Sequence, residues 1–514
     1  MRPHFDDGEM VVDARLLTEL TRILGSERFL TQPADLIVHG YDAALHSELP
    51  GAVALPRTTD EVSAILRCAS AAGAPVVARG AGTSLTGGPV PDRPGHLVVD
   101  LVQMDRILAV DAEDLTATVE AGVVTADLQR AAEARGLFYP PDPATLRTCT
   151  IGGNIATNAG GPRGLKYGVT RNYVLGLEVV AADGTVLHLG GRAIKNATGY
   201  ALAQLFIGSE GTLGIITGAV LKLIPKPLAE RTILAAFDRL DDAAALVVRV
   251  LGAGVLPATI ELIDQACIRA VEAYKPAGRP LDVEAVMLLR VDGHPAAVEV
   301  EQQTIASLCR EAGARDVRVP ATVEEAECLW DARRAVSPAL GRLSRSKLDE
   351  DITVPRSAIV PVMRRIQEIA ASRGLPIAVF GHISDGNLHP EILFDMADAD
   401  ERGRMLGAAS DLFVAALESG GTLSGEHGIG YLKKEFLPLA VEPAALELMR
   451  AIKALLDPAG ILNPGKVFPD GHSPILRGTD ASIMPPNPFR GPFPGATSRR
   501  RKSATPHVGT ERGR

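Results

Sequence analysis

The chain has 514 residues, of which 46% are hydrophobic, 22% charged and 4% aromatic, and its formal net charge is −9. This length exceeds what one hydrophobic core organises, so at least two domains are expected. The acidic balance and the scarcity of aromatic side chains exclude a typical nucleic-acid-binding surface. No run of 18 apolar residues occurs, so no transmembrane segment is predicted.

Cysteine usage and the first residues indicate the compartment. The five cysteines are Cys68, Cys149, Cys267, Cys309 and Cys328. They are odd in number, widely spaced and without a C-x-x-C pair, which predicts buried thiols in a reducing environment rather than disulfides or iron–sulfur ligands. The polar sequence MRPHFDDGEM is unlike a secretory signal. We therefore expect a cytoplasmic protein, with peripheral attachment to the inner membrane through a partner left open.

Changes in composition divide the chain into five parts. Apolar residues from Val12 to Arg28 recur at helical spacing, and two prolines, Pro225 and Pro227, end a first α/β region. Beyond them strands alternate with helices, which predicts an α+β domain with an antiparallel sheet. The predicted parts are an N-terminal helical segment (1–47), a first domain (48–228), a second domain (229–440), a segment that returns to the first domain (441–469) and a disordered tail (470–514).

Within the first domain the predicted elements lead to a glycine-rich loop. A helix capped by Thr59 or Asp60 precedes a strand at residues 75–78, and RGAGTSLTGG follows at residues 79–88. Consecutive N–H groups in such a loop form a concave anion site. The loop departs from the G-x-G-x-x-G dinucleotide fingerprint, because its sixth position is Leu85 and no helix is predicted after it.

Two further glycine-rich stretches follow in the same domain. Residues 139–161, YPPDPATLRTCTIGGNIATNAGG, are predicted to form a rigid proline turn and then a loop of small residues. Residues 207–216 read IGSEGTLGII. Any one of these stretches is equally typical of a packing loop. Three of them together favour a site for a flat, partly apolar ligand that carries phosphates.

A different kind of site is indicated late in the chain. His382 and His389 flank a predicted Asp-Gly turn in GHISDGNLHP, so their rings can converge, and Glu426 and His427 lie among glycines further on. Two imidazoles and a carboxylate that leave coordination positions open are typical of a catalytic metal site. For one histidine a structural turn would be the simpler interpretation, but the combination favours metal ligation.

The glycine-rich motifs resemble the flavin-cradling loops of the vanillyl-alcohol-oxidase/PCMH superfamily. From about Leu17 to about Pro469 the chain is similar to glycolate oxidase flavoprotein subunits and to FAD-linked D-lactate and D-2-hydroxyglutarate dehydrogenases. The resemblance implies an α+β fold, with a two-subdomain PCMH-type FAD-binding domain and an α+β cap domain that has an antiparallel sheet. FAD is expected to be non-covalent, because Thr83 stands where covalently flavinylated relatives carry a histidine. The residues implied in FAD binding are Arg79, Gly80, Ala81, Gly82, Thr83, Ser84, Gly87, Gly88, Pro141, Asp142, Thr150, Gly152, Gly153, Asn154, Ala156, Thr157, Asn158, Gly160, Gly161, Glu210, Gly211, Gly214, Ile215, Ile216 and Asn463.

The resemblance also implies roles for the histidine cluster. The positions that match His382, His389 and Glu426 hold a divalent metal ion in the related dehydrogenases, and two His and one Glu suit zinc, manganese or iron. The ion polarises the 2-hydroxyl group of the substrate. His427 then acts as the general base that removes the hydroxyl proton, while hydride passes from Cα to flavin N5.

A substrate carboxylate requires a cation, and the planar fork of arginine fits it best. Arg333, in WDARR, matches the carboxylate-binding arginine of the family, and Lys347, in SKLDEDITVP, is the second candidate. The alternative for Arg333 is a solvated position on a helix face.

The predicted function is the oxidation of a D-2-hydroxy acid, with glycolate or D-lactate favoured, to the 2-oxo acid. Without cysteine clusters the electrons must pass to a separate acceptor, such as an iron–sulfur subunit, electron-transfer flavoprotein, cytochrome or quinone. A homodimer is left open. Two alternatives also remain: a redox-neutral transferase like alkyl-dihydroxyacetone-phosphate synthase, and a non-catalytic flavoprotein subunit of a larger oxidase. A serine hydrolase is disfavoured because no G-x-S-x-G elbow surrounds Ser84 or Ser424.

Overall fold

Helices and strands alternate through the part of the chain that the structure, a computed structural model, describes: residues 14–276 and 278–470. The predicted tail from residue 471 onward therefore lies outside the described residues, as does the start of the first predicted helix. The mixture of helix and antiparallel sheet confirms the predicted α+β class. None of the described helices is long and apolar enough to span a bilayer.

A four-stranded sheet forms the first subdomain. Its elements are α1 (Ala14–Leu24), β1 (Phe29–Leu30), α2 (Pro33–Leu36), β2 (Ala52–Ala54), α3 (Thr59–Ala72), β3 (Val76–Arg79) and β4 (Leu97–Asp100). The strand order is β1-β2-β4-β3, in which β2 and β3 both run parallel to β4. Leu20 of α1 and Ile65 and Leu66 of α3 are fully buried against this sheet.

A five-stranded antiparallel sheet forms the second subdomain. Its elements are β5 (Ile107–Asp111), β6 (Thr116–Glu120), α4 (Thr125–Glu133), β7 (Leu137–Phe138), α5 (Ile151–Thr157), α6 (Gly164–Tyr167), β8 (Val174–Val180), β9 (Val186–Gly190), α7 (Ala203–Phe206), β10 (Ile215–Lys222) and β11 (Ile224–Pro225). The strand order is β5-β6-β10-β8-β9, and β7 pairs separately with β11. Strands β8 and β9 form the hairpin predicted from Asp183-Gly184, with Val180 paired to Val186.

The glycine-rich stretch after Thr150 was expected to be a loop, but it is the short helix α5. The Thr150 hydroxyl caps this helix by accepting a hydrogen bond from Gly153 N at 3.3 Å. Glycine is required here for close packing, since a Cβ atom on Gly152 would lie 2.6 Å from the Cβ of Ala121. Tertiary contact therefore overrides the low helix propensity of glycine.

Three smaller expectations are also corrected. Thr58, rather than Thr59 or Asp60, caps α3. Its backbone is extended, so its hydroxyl accepts a hydrogen bond from the backbone N–H of Glu61. Helix α1 ends at Leu24, directly before Gly25 with φ 76, so it does not cover the whole stretch of helical spacing that runs to Arg28. Cys328 is exposed rather than buried.

The second half of the chain folds around one large antiparallel sheet. Its elements are β12 (Ala229–Phe237), α8 (Leu240–Gly252), β13 (Thr259–Asp264), α9 (Gln265–Tyr274), β14 (Ala285–Gly293), α10 (Pro295–Glu311), β15 (Asp316–Arg318), α11 (Val323–Arg334), α12 (Val336–Leu340), β16 (Ser346–Asp349), β17 (Ile352–Thr353), α13 (Ile359–Arg373), β18 (Ile377–His382), β19 (Asn387–Phe394), α14 (Ala399–Glu418) and α15 (Leu437–Ala440). The strand order is β15-β12-β14-β13-β18-β19-β16, and β17 also pairs with β19. Helices α8, α10, α13 and α14 cover one face, and α9, α11 and α12 cover the other.

The chain then returns to the first subdomain. After α16 (Pro443–Leu456), Ile461 O accepts a hydrogen bond from Val76 N at 2.8 Å, and Asn463 N donates to Val76 O at 2.7 Å. The last described segment therefore lies beside β3.

A buried polar contact joins the second subdomain to the large sheet. Asp292 of β14 accepts from Lys166 Nζ at 2.5 Å and from the hydroxyl of Tyr167 at 2.8 and 2.9 Å. The two halves of the chain are thus tied together by ionic hydrogen bonds as well as by the returning segment.

Candidate functional site

The three glycine-rich stretches surround a single open cleft between the two subdomains. The cleft has an empty volume of ≈ 1230 Å³, which includes the solvent space at its mouth. The predicted residues that line it are Arg79, Gly80, Ala81, Gly82, Thr83, Ser84, Gly88, Thr150, Gly152, Gly153, Asn154, Ala156, Thr157, Glu210, Gly211, Gly214 and Ile216. Those outside its lining are Gly87, Pro141, Asp142, Asn158, Gly160, Gly161, Ile215 and Asn463.

Several lining residues were missed by sequence reasoning. Leu85 and Pro89 belong to the first loop, and Pro143, Ala144 and Thr145 follow the proline turn. They are apolar or small and carry no recognisable pattern of their own. Their position beside the glycines was the only signal available.

The predicted metal ligands converge at the edge of the large sheet. His382 ends β18 and His389 lies on the neighbouring β19, with ring centroids 5.1 Å apart. The Oε1 atom of Glu426 lies 3.3 Å from His382 Nε2 and 3.4 Å from His389 Nε2. Two ligands held about 2.0–2.1 Å from a tetrahedral zinc ion are about 3.3–3.4 Å apart. The three side chains therefore fit a divalent cation.

Each of these imidazoles faces a buried carboxylate that the sequence did not reveal. Glu261 Oε1, on β13, lies 2.6 Å from His382 Nδ1, and Asp351 Oδ1 lies 4.0 Å from His389 Nδ1. A hydrogen-bonded carboxylate such as Glu261 orients a ligating histidine and increases its basicity, whereas His389 Nδ1 has no hydrogen-bond partner among the described residues. The only local signal for Glu261 was one charged residue in the otherwise apolar core of the strand TIELID.

Burial and charge act against each other at the two histidines. Burial alone would lower the pKa of His382, but the carboxylates of Glu261 and Glu426 raise that pKa well above its ordinary value. For His389, burial and the charge of His382 lower the pKa to about 4. A metal ligand must be neutral, so a cation at this site would have to displace the proton that the two carboxylates favour on His382.

His427 connects the cation site with the cleft. Its ring stacks on that of His389 at a centroid distance of 5.3 Å and an angle of 13°, and His427 also lines the cleft together with Glu426. Its Nδ1 atom is buried and has no hydrogen-bond partner among the described residues. The predicted base is thus placed between the cation site and the predicted flavin.

Arg333 lies beside the cluster and is not on a solvated helix face. It is 9% exposed, its Nη2 lies 2.5 Å from Glu261 Oε2, and its guanidinium carbon lies 4.6 Å from the ring centroid of Phe380. Its Nε atom is also buried and has no hydrogen-bond partner among the described residues.

The amine of Lys347 is already engaged by residues outside the histidine cluster. Its Nζ donates to Asp349 at 2.8 and 2.9 Å, to Glu391 at 3.2 Å and to Ser337 at 2.5 Å. Burial opposes the charge of Lys347, but Asp349 and Glu391 raise its pKa. Both predicted substrate-binding cations are thus paired with carboxylates of the large sheet, and their role remains a prediction.

The cleft between the two subdomains is covered by an antiparallel α+β domain, and the histidine cluster lies at the edge of that domain. A dinucleotide cleft in this arrangement defines a flavin-dependent oxidoreductase. The family description "FAD linked oxidases, C-terminal domain" matches residues 226–467, and "FAD binding domain" matches residues 50–190. The chain belongs to the FAD-linked oxidases, and its cofactor is FAD.

Two relatives and one solved structure illustrate the similarity. The chain is 45% identical over 451 residues to glycolate oxidase subunit GlcD of Bacillus subtilis, covering 88% of this chain and 96% of the relative. It is 40% identical over 420 residues to D-lactate dehydrogenase of Archaeoglobus fulgidus, covering 81% and 90%. The fold matches p-cresol methylhydroxylase with a TM-score of 0.75 at 17% identity, covering 89% of this chain and 96% of that chain.

Proposed function

We propose that the chain oxidises a D-2-hydroxy acid, with glycolate or D-lactate favoured, to the 2-oxo acid. The observation that carries this proposal is the position of His427, which lines the FAD cleft and stacks on a histidine of the cation site. The names of the relatives, glycolate oxidase subunit and D-lactate dehydrogenase, support the same substrate class.

Different side chains bind the substrate and accept its proton. Bound FAD supplies a two-electron acceptor, and a zinc, manganese or iron ion on His382, His389 and Glu426 supplies positive charge near the substrate hydroxyl. Arg333 supplies the positive charge that attracts the substrate carboxylate, while Glu261 holds its Nη2. His427 accepts the hydroxyl proton, because its ring is the one that faces both the cleft and the cation site.

The electrons then leave through a separate acceptor, for which an iron–sulfur subunit, an electron-transfer flavoprotein, a cytochrome or a quinone is suitable. The B. subtilis relative is itself named a subunit. Non-covalent FAD is proposed because Thr83, whose hydroxyl is not a flavin-attachment group, lines the cleft. A cytoplasmic location remains a prediction.

The first test is the anaerobic absorbance spectrum of the purified protein with D-lactate, L-lactate, glycolate or D-2-hydroxyglutarate. We expect one or more of the D-acids or glycolate to bleach the flavin, and L-lactate to leave it oxidised. His427→Ala should keep its FAD but lose reduction by about 100-fold or more, because a general base contributes about 10²–10⁴-fold. His188→Ala is the control, because that histidine is on β9 and its side chain is 76% exposed. A flavin that no hydroxy acid reduces would contradict the proposed function.

The second test concerns the cation site. His382→Ala should lose bound metal after dialysis against a weak chelator while FAD remains bound, because His382 does not line the cleft. Metal is measured by elemental analysis and FAD by absorbance, with His188→Ala again as the control. A His382→Ala protein that retains full metal content would contradict the assignment of the ligands.

A further inference from the structure

The loop that carries Glu426 and His427 has an unusual set of hydrogen bonds. Every backbone N–H from Gly425 to Gly430 donates to a side-chain oxygen rather than to another backbone group. The donors and acceptors are Gly425, Glu426 and His427 to Asp351 Oδ2 (each 2.9 Å), Gly428 to Ser424 Oγ (2.9 Å), Ile429 to Glu210 Oε1 (2.8 Å) and Gly430 to Glu210 Oε2 (2.7 Å).

The two carboxylates that hold this loop come from opposite sides of the active site. Asp351 lies between β16 and β17 of the large sheet and is fully buried. Glu210 lies between α7 and β10 of the FAD-binding half and is 8% exposed. Hydrogen bonds from N–H groups to buried carboxylates are among the stronger ones in proteins. The loop is therefore fixed at its first half by one domain and at its second half by the other.

The backbone of Glu210 is itself held by the segments that surround the cleft. Glu210 N donates to Ala156 O of α5 at 2.8 Å, and Asn463 Nδ2 donates to Glu210 O at 2.7 Å. Glu210 adopts φ 52, a left-handed conformation that is unfavourable for a residue with a side chain. Such a conformation is retained where the surrounding structure determines it, and here it directs the carboxylate out of its own loop.

The loop from Gly425 to Gly430, called the catalytic loop below, also packs closely on the FAD-binding half. A Cβ atom on Gly428 would lie 3.0 Å from the carboxyl carbon of Glu210, and one on Gly430 would lie 2.4 Å from Thr86 O. Thr86 O accepts hydrogen bonds from Tyr431 N at 2.8 Å and Leu432 N at 3.1 Å. A Cβ atom on Gly160 would likewise lie 2.8 Å from Glu426 Oε2, so the loop touches all three glycine-rich stretches.

We propose that Glu210 is a positioning residue for His427, which fixes the base relative to the FAD cleft through the amides of Ile429 and Gly430. This inference rests on the proposed function, in which His427 is the base. The carboxylate of Glu210 then serves the catalytic loop rather than the cofactor. Asp351 fixes the position of the same loop relative to the cation site. The two carboxylates together therefore fix the position of the cation site relative to the flavin.

The test replaces the carboxylate by an amide of the same shape. In Glu210→Gln only one oxygen remains to accept, and the NH₂ group faces a second N–H donor, so one loop amide loses its partner. We expect hydrogen exchange of the loop peptide around residues 424–432 to accelerate at least about 10-fold. We also expect flavin reduction at saturating substrate to slow by about 10- to 100-fold, as displacement of a catalytic group by about 1 Å does. FAD content and the substrate Kd should stay within about 3-fold of the wild-type values, because the contacts of Arg333 are unchanged.

Glu120→Gln is the matched control. Glu120 is a buried glutamate on β6, in the same FAD-binding half as Glu210. It accepts a hydrogen bond from Arg106 and does not line the cleft. If Glu210→Gln does not fold, Glu210→Asp, which withdraws the carboxylate by one methylene, takes its place with the same measurements.

The outcomes separate this inference from the proposed function. If Glu210→Gln shows the same hydrogen exchange and the same rate of flavin reduction as Glu120→Gln, the positioning role is overturned. It is also overturned if Glu210→Gln loses FAD while the loop remains protected from hydrogen exchange. If no hydroxy acid reduces the wild-type flavin, the proposed function fails, but faster exchange in the loop of Glu210→Gln still supports the anchoring by Glu210.

Discussion

At the scale of single residues, the structure buries an imidazole away from the active site. His96 precedes β4 and is 1% exposed. Burial lowers its pKa from the ordinary 6.5 to about 4, although Asp92, 3.4 Å from its Nδ1 atom, partly opposes this effect. The folded protein therefore keeps this ring neutral under conditions in which the unfolded chain protonates it.

His96 should contribute to acid sensitivity. Between pH 6.5 and about 4 the unfolded state binds a proton that the folded state does not. The stability from this group is thus fully present above pH 6.5 and is lost as pH falls, by up to about 3 kcal/mol near pH 4. In urea unfolding from pH 7.5 to 4.5, His96→Gln should lose less stability than the wild type. His188→Gln, at an exposed position, should follow the wild type, and parallel pH profiles for His96→Gln and the wild type would contradict the prediction.

At the scale of secondary-structure elements, patterns that lie close together in the sequence were predictable. His382 and His389 flank a turn between adjacent strands, so their convergence follows from the local sequence. The three glycine-rich stretches were likewise readable, because glycine and small residues mark places where backbone approaches a ligand. These signals indicated both the cleft and the cation site.

Elements determined by distant contacts were not predictable. Glu261 is 121 residues from His382, to which it is bonded, and nothing in the intervening sequence relates the two. Helix α5 forms although its glycines disfavour helix, because Gly152 must approach Ala121 closely. Glu210 lines the cleft, but nothing in the sequence indicated that its carboxylate accepts from amides more than 200 residues further along the chain.

At the scale of the whole molecule, the active site depends on how the two halves are joined. The proposed cation ligands His382 and His389 lie on strands of the large sheet, whereas most of the cleft lining belongs to the first half of the chain. Asp292, with Lys166 and Tyr167, is one of the contacts between these halves, and it is 7% exposed. Weakening this contact should therefore affect stability and cofactor environment together.

Asp292→Asn should destabilise the protein by roughly 1–3 kcal/mol, because it leaves the Lys166 ammonium without its carboxylate while the backbone oxygen still accepts. We expect a lower melting temperature by calorimetry, with flavin fluorescence increasing at the same temperature. Asp282→Asn, which alters an exposed pair with Arg315 on the large-sheet half, is the control and should melt as the wild type does. If Asp292→Asn has the same melting temperature as the control, the contact does not contribute to the stability of the connection between the two halves.

The complete use of the amides from Gly425 to Gly430 has a consequence for selectivity. A loop whose N–H groups are all engaged has none left to serve as an oxyanion hole for the substrate. Under the proposed function, the carboxylate of the acid is therefore bound by side chains, for which Arg333 is the proposed cation, rather than by this loop. Substrate range is expected to diverge through the covering domain, while the proton-transfer apparatus stays the same.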